Sequence, residues 1–377
     1  MSAILAPTAS KDRADRAHML AALELAQRGL GQVWPNPAVG CVIVNQGRVV
    51  GRGWTQSGGR PHAETEALKR AGAAAKGATA YVTLEPCAHH GKTSPCAEAL
   101  IAAGISRAVV ALIDPDERVS GQGIAKLEEA GIEVSLGLCA EEAEEVNAGF
   151  LLRIAEGRPI LTLKTATTLD GRIAVHSGAS RWITGEAARS MVHRLRANHD
   201  AVLIGVGTAL ADNPELTCRL PGYSGRQPVR IVVDGRLRLP LTSKLVAEAG
   251  KTAPTWLITR DGGDKKRMDI YREAGVEIIV VDHGADGRPD LKAAFKTLGE
   301  RGLTRVMAEA GSHMTASLLR ADLVDRLVWF RSPRLIGGDG LPMSVAFGVD
   351  ELTATPFFTR LSVSELGPDV METYRRN

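Results

Sequence analysis

From end to end the chain alternates short β-branched runs with longer helical stretches, which confines it to a layered α/β architecture. Lys11 to Leu30 carries Met19, Leu20, Leu23, Ala26 and Leu30 at helical spacing. Val39 to Val44 reads as a strand, and Asn45-Gln46-Gly47 as a turn into another near Val49. Glu64 to Ala75 is Ala-rich and helical, and Thr79 to Leu84 is a short strand. Ala108 to Ile113 and Ile132 to Leu136 are strands around a helix over Ile124 to Ala130. Glu141 to Val146 is a charged helical stretch, followed by Gly149, Gly157 and Pro159.

A chain of 377 residues predicts two domains, and the punctuation places the boundary near Gly157, giving 12–156 and 157–377. Beyond it, strands are predicted at Ile160 to Thr165, Ala201 to Gly205, Val229 to Val233, Thr255 to Thr259, Glu277 to Val281, Arg305 to Ala308 and Arg326 to Phe330. Helices are predicted at Glu186 to Ala197, Leu291 to Arg301 and Met314 to Ala321.

Charge excludes some classes of partner. Lys plus Arg is 46 and Asp plus Glu 43, a formal +3, so no nucleic-acid partner is implied. The longest obvious uncharged run, Ala201 to Ala211, falls short of the roughly 18 residues of a membrane span. The start, MSAILAPTASKDRADR, has no basic-then-apolar pattern, so no secretory signal is expected. Five cysteines are too few, and odd in number, for a disulfide framework, and a reducing, cytoplasmic setting is expected. Cys41, Cys139 and Cys218 read as buried small hydrophobes.

Cys87 and Cys96 read differently. His62-Ala63-Glu64, Pro86-Cys87 and Pro95-Cys96 offer one imidazole and two thiolates, the three ligands of a catalytic zinc that keeps one position open. Zinc lowers the pKa of a bound water to about 7, and Glu64 could carry the proton to a leaving amine. Ser94-Pro95-Cys96 reads as helix N-cap, N1 and N2, where the dipole favours the Cys96 thiolate. A closed structural site would need a fourth ligand, for which His90 is the nearby candidate, and would leave Glu64 without a task. The H-x-E…P-C…P-C pattern is that of zinc-dependent nucleobase deaminases, except that eight residues rather than two separate the cysteines.

That longer loop carries a resemblance. Pro35-Asn36-Pro37-Ala38-Val39-Gly40, His62-Ala63-Glu64 and the run from Glu85 to Cys96 closely resemble the bifunctional deaminase–reductase family of riboflavin biosynthesis, over almost the whole chain from about His18. The resemblance implies a cytidine-deaminase-like three-layer α/β/α domain, then a dihydrofolate-reductase-like α/β domain that uses NADPH. The implied substrate is a diaminated pyrimidinone bearing a ribosylamino 5′-phosphate, whose exocyclic 2-amino group is replaced by oxygen. By position, Asn36, His89, Lys92 and Asp114 contact it. The family's Asp-Pro-Asn-Pro motif is Asp114-Pro115-Asp116-Glu117 here, changed at its last two positions.

The second half has no G-x-G-x-x-G: Gly205-Val206-Gly207 is followed by Leu210 where the third glycine would fall. Gly205 to Thr208, and Glu309 to Ser312 after the strand at Arg305, are glycine turns that could hold phosphate or simply turn the chain. Lys164, Leu169-Asp170-Gly171-Arg172, Trp182-Ile183-Thr184, Leu210 to Pro214 and Glu309-Ala310-Gly311 resemble the reductase domain of the same family. The resemblance implies nucleotide contacts at Ala166, Trp182, Thr208, Asp212, Gly311 and Ser312. It implies sugar-phosphate contacts at Ser180, Arg196, Leu216, Arg219 and Glu309, with hydride transfer to C1′ of the ring-opened ribosyl group. Arg196 and Arg219 suit a phosphate through their guanidinium forks. Lys164 and Asp212 are the candidates for proton handling.

The expected assembly is a homo-oligomer, dimer or tetramer. The competing readings are a single-activity deaminase acting on RNA, and a zinc-stabilised scaffold without catalysis.

Overall fold

Alternation within single strands decides how the first half is layered. The protein is described by a computed structural model that covers residues 7–89, 94–116, 119–284 and 286–377, with side chains from Asp12 onward. It divides into a unit over Met1–Glu156 and a unit over Gly157–Asn377.

The first unit runs α1 Pro7–Gln27, β1 Gly40–Asn45, β2 Arg48–Trp54, α2 Ala63–Ala71, β3 Thr79–Val82, α3 Cys96–Ala102, β4 Arg107–Val110, α4 Gln122–Glu129, β5 Glu133–Leu136 and α5 Ala140–Glu156. Its sheet order is β2-β1-β3-β4-β5, with β1 antiparallel to both neighbours and the rest parallel. Successive side chains on a strand point to opposite faces. Cys41 and Ile43 therefore pack with Ala63, Ala67, Leu100 and Leu127 from α2, α3 and α4. Val42 and Val44 pack with Met19, Leu23 and Val146 from α1 and α5. The result is the expected three-layer α/β/α unit.

Gly51 and Gly53 set how closely α2 lies on β2. A Cβ at these positions would meet the main-chain oxygens of Ala67 and Ala63 at 2.3 and 2.1 Å. Only glycine permits that approach, and it fixes the start of α2, where His62 and Glu64 sit.

The second unit runs β6 Ile160–Thr168, β7 Arg172–Ala174, α6 Glu186–Ala197, β8 Ala201–Gly205, α7 Val206–Asp212, β9 Val229–Val233, α8 Lys244–Ala247, β10 Thr255–Arg260, α9 Lys265–Glu273, β11 Glu277–Val281, α10 Leu291–Glu300, β12 Arg305–Ala308, α11 Ser312–Arg320, β13 Arg326–Ser332, β14 Leu341–Pro342, β15 Phe358–Leu366 and β16 Asp369–Arg376. Nine strands form one mixed sheet, ordered β11-β10-β9-β8-β12-β6-β13-β16-β15. It is parallel from β11 to β13 and antiparallel at β16 and β15. The β6–β13 register sets Lys164 beside Val328 and Ala166 beside Phe330. Ala188, Val328, Phe330 and Met371 form a core there, with Leu195 and Ala166 packed against it.

Three expectations differ from the structure. The helix predicted over Glu141 to Val146 continues through Gly149 to Glu156, because its inward residues Val146, Asn147, Gly149 and Phe150 are buried. The helices α7, α8 and α9 are additional, and α9 (KKRMDIYRE) hides its helical signal under charge. The β15–β16 hairpin is also additional, since β15 is exposed over most of its length and has no buried face to impose a period of two.

Candidate metal centre and a second polar cluster

Each predicted metal ligand sits where an element starts or a strand has just ended. His62 is the N-cap of α2, in an extended conformation, and its side chain makes no cap bond. Cys87 lies in the loop after β3, and Cys96 is the first residue of α3. The structure corrects the predicted cap. Pro95 is the N-cap, with φ −58° and ψ 141°, and Cys96 is N1. The freed N–H groups of this helix are taken by Cys87: its sulfur accepts from the Cys96 N–H at 3.3 Å and its carbonyl accepts from the Ala97 N–H at 3.2 Å. The helix terminus therefore supports the Cys87 thiolate through a direct N–H bond. The Cys96 thiol beside it pushes Cys87 down to about 4 against the effect of burial, with His62 and the Cys96 main-chain N–H adding to the shift. Cys96 is pushed up by donating to Cys87 and by burial.

His62 Nδ1 lies 3.3 Å from Cys96 Sγ and 3.6 Å from Cys87 Sγ. All three donor atoms fall within 4.8 Å of one another. Tetrahedral zinc with Zn–N of about 2.0 Å and Zn–S of about 2.3 Å needs N···S edges of roughly 3.5 Å, so the donor set fits zinc and leaves a fourth position open. Glu64 is 3% exposed. Burial raises its pKa, opposed by His62.

The loops around the centre are held by side chains from outside the motifs. Asn147 of α5 is 2% exposed, and its amide makes a two-way pair with Ala38. It accepts the Ala38 N–H at 2.9 Å and donates to the Ala38 carbonyl at 3.0 Å. This pins the segment that carries Asn36, whose side-chain amide donates to Val33 O. Asn147→Ala strands both main-chain groups, and unfolding in urea is expected to show a loss of ~2–3 kcal/mol. Asp114 is buried, and its Oδ1 accepts the Asp116 N–H at 2.9 Å. His89 is exposed, while Lys92, His90 and Glu117 lie outside the described residues.

In the second unit, Lys164, Arg196 and Glu309 come together. Arg196 forms a bidentate pair with Glu309, at 2.6 and 2.9 Å, and also donates to Thr217 O at 3.0 Å. Its fork is thus occupied within the chain, not open as the residue type alone suggested. Glu309 is held near 2, because Arg196 and Lys164 outweigh the burial that would raise it. Burial lowers Lys164, with Glu309 opposing. His193 joins this cluster without having been singled out in the sequence: its Nδ1 faces Thr217 O and the Arg219 N–H. The Arg219 side chain is half exposed and pairs with Glu215 at 2.9 Å. The Leu216 side chain is buried at 2%, so that position presents main chain only.

The nucleotide positions also converge in part. Gly205 and Gly311 are the N-caps of α7 and α11 and have no side chain of their own to cap either helix. Their strands, β8 and β12, are adjacent and parallel, the arrangement in which helix N-termini meet cofactor phosphates. A Cβ on Gly311 would touch Thr208 Oγ1 at 3.4 Å. These residues fit a dinucleotide. Arg181 donates to Asp212 O at 3.4 Å, which links the Trp182 loop to α7. Trp182 is 62% exposed, under Arg189 at 4.7 Å, and lines a cleft of about 260 Å³ with Arg334 and Asp369. The Ser312 hydroxyl is turned to Pro342 O, Ala166 lies on β6, and Ser180 O accepts the Ile183 N–H.

An open His-Cys-Cys centre with a buried carboxyl, on a three-layer unit, defines a zinc-dependent deaminase of the nucleobase type, here followed by a second α/β unit. Comparison with known proteins agrees. Residues 12–112 match the cytidine and deoxycytidylate deaminase zinc-binding region, and residues 159–371 match the RibD C-terminal domain. Riboflavin biosynthesis protein RibD of Escherichia coli K12 is 42% identical, over 94% of this chain and 98% of its own. That of Aquifex aeolicus is 41% identical, over 96% and 98%. The structure of Acinetobacter baumannii RibD superposes with TM-score 0.87 at 38% identity, over 97% of this chain and 99% of that one. The chain belongs to the RibD family of riboflavin biosynthesis proteins, and is a zinc-dependent deaminase fused to an NADPH-dependent reductase. The reading as a single-activity RNA deaminase is not supported, since the match continues through the second unit.

Proposed function

We propose that residues 12–156 deaminate a diaminated pyrimidinone bearing a ribosylamino 5′-phosphate, and that residues 157–377 reduce the ribosyl chain of the product to ribityl. The convergence of His62, Cys87 and Cys96 around an open position carries this reading. A Thermotoga maritima relative, 34% identical with TM-score 0.85, is described as a diaminohydroxyphosphoribosylaminopyrimidine deaminase/5-amino-6-(5-phosphoribosylamino)uracil reductase.

His62, Cys87 and Cys96 hold the zinc, which when bound supplies a water of lowered pKa. Glu64 takes up a proton at its carboxylate and returns it to the departing amino group. Its burial supports this, because a raised carboxyl pKa suits both halves of a proton relay. Asn36, His89, Lys92 and Asp114 contact the pyrimidine and its phosphate.

In the second unit, Thr208, Gly311, Ser312, Ala166, Trp182 and Asp212 hold NADPH, which when bound supplies the hydride. Ser180, Arg196, Leu216, Arg219 and Glu309 surround the sugar phosphate, Leu216 through its main chain. Lys164 and Asp212 handle the proton at the reduced carbonyl, and the depressed pKa of Lys164 supports giving it that task.

The chain acts as a homo-oligomer, dimer or tetramer, in the cytoplasm. Leu361 and Val363, 45% and 51% exposed on edge strand β15, support self-association, which sedimentation tests. Among the described residues, no helix is long and apolar enough to cross a membrane.

Metal analysis combined with a two-step assay, NADPH added last, tests the whole reading. Removing zinc with a chelator is expected to abolish deamination, leave reduction of the deaminated intermediate intact, and be reversed by stoichiometric zinc. The first unit is expected to stay folded throughout, since its two apolar cores are built from side chains other than the three ligands. Loss of far-UV CD on chelation would favour the zinc-stabilised scaffold instead.

A further inference from the structure

We infer that Glu85 is a positioning residue for the deamination site, coupling the metal loop to the loop that carries Asp114. This rests on the reading of Asp114 as a substrate contact.

Glu85 lies two residues before the ligand Cys87, and is 4% exposed. A buried carboxylate needs partners, and all of those found here are main-chain N–H groups. Oε2 accepts from Asp114 at 3.2 Å and from Gly121 at 2.9 Å. Oε1 accepts from Gly123 at 2.8 Å and from Ile124 at 3.3 Å. The Glu85 N–H donates to Leu112 O at 2.8 Å. One side chain therefore holds both ends of the segment from Asp114 to Ile124.

Three features show how closely the segment is tied to the metal loop. First, the N-cap of α4 is Gly121, with φ 80° and no side chain to offer, so Glu85 supplies the negative charge and acceptors for that helix terminus from another part of the chain. Second, Gly123 sits so close to the metal loop that a Cβ would meet Pro86 O at 1.9 Å. Third, Lys126 of α4 donates to Ala88 O at 2.9 Å, fastening the loop again just past Cys87. The Glu85 carboxylate thus ties Asp114 to the metal loop as well as closing the helix, whereas a generic helix cap would reach only the helix end.

Glu85→Gln removes the charge and sets an amide NH2 against two of the four main-chain N–H groups, loosening the hold on the Asp114 segment while leaving all three metal ligands in place. The enzyme is Glu85→Gln, purified with zinc, and compared with wild type and Asp114→Asn. Its KM for the diaminated pyrimidine is expected to rise about tenfold, with kcat within about threefold. Zinc content and the reductase reaction are expected to stay unchanged. Asp114→Asn is expected to raise KM in the same way.

A normal KM in Glu85→Gln beside a raised one in Asp114→Asn overturns the coupling. A normal KM in Asp114→Asn overturns the reading of Asp114, and the coupling with it. Loss of zinc together with kcat in Glu85→Gln assigns Glu85 to the metal loop alone, and also overturns it. Should Glu85→Gln fail to fold, Glu85→Asp, which keeps the charge at the helix end but shortens the reach, takes its place. A raised KM with retained kcat and zinc in Glu85→Asp supports the coupling, and any other pattern overturns it.

Discussion

Glu64→Gln is expected to lower kcat for deamination by ~10²–10⁴-fold while zinc binding and the reductase activity stay at wild-type levels. Gln keeps the size and one acceptor oxygen but can neither take up nor release a proton at neutral pH. Glu64 is 3% exposed on the second residue of α2, so bulk water has little access to replace it. The three ligand atoms are supplied by other residues, which is why the metal should remain. Metal analysis and separate assays of the two reactions read this directly. A kcat loss below tenfold would remove Glu64 from proton transfer. A parallel loss of zinc would make it a structural support of the ligands instead.

Glu309→Gln has the largest expected effect on the second unit. The Arg196–Glu309 side chains are 11% and 15% exposed, so the pair is little screened by solvent. Removing one charge leaves Arg196 buried without its counter-ion, which costs about 3–5 kcal/mol. The pKa gives a consistent figure: a carboxyl held near 2 against an ordinary 4.5 corresponds to ~3 kcal/mol. The folded pKa is depressed, so this stabilisation is present in full above the unfolded value of 4.5 and is lost as pH falls through about 2. Chemical denaturation at pH 7 should show the full difference between wild type and variant, and the difference should shrink below pH 4.5. A constant difference across that range would mean that packing, not charge, holds the pair. Reduction should fall as well, because Lys164 loses the negative charge that opposes the lowering of its pKa by burial.

The readable parts of the molecule are those where chemistry and spacing are local. His62, Glu64, Cys87 and Cys96 stand in short strings whose residue types are rare together. Strands β1, β3 and β4 of the first unit bury both faces, so their short apolar runs survive in the sequence. Where neither face is buried, the pattern disappears, as in β15. Where both helix ends lie in charged segments, as in α9, periodicity is masked. Asn147 left no signal of its own, because a single Asn in a charged helical stretch shows its purpose only once Ala38 lies beside it. Glu85 stood within the recognised string, yet its partners Gly121, Gly123 and Ile124 are up to 39 positions away.

The amino acids alone carried the layered α/β class, the zinc donor set, a carboxyl two residues after its histidine and a boundary near Gly157. Each follows from residue type and near-neighbour spacing, which are properties of the chain before it folds. Tertiary structure alone decided that Cys87, not Cys96, receives the helix N–H, because that depends on which loop arrives at the start of α3. It also decided that Arg196 turns its fork to Glu309, 113 positions away, and that one buried carboxylate organises the Asp114 loop. Such pairings are set by strand order, register and the close approach of separate segments, and periodicity along the chain does not encode those.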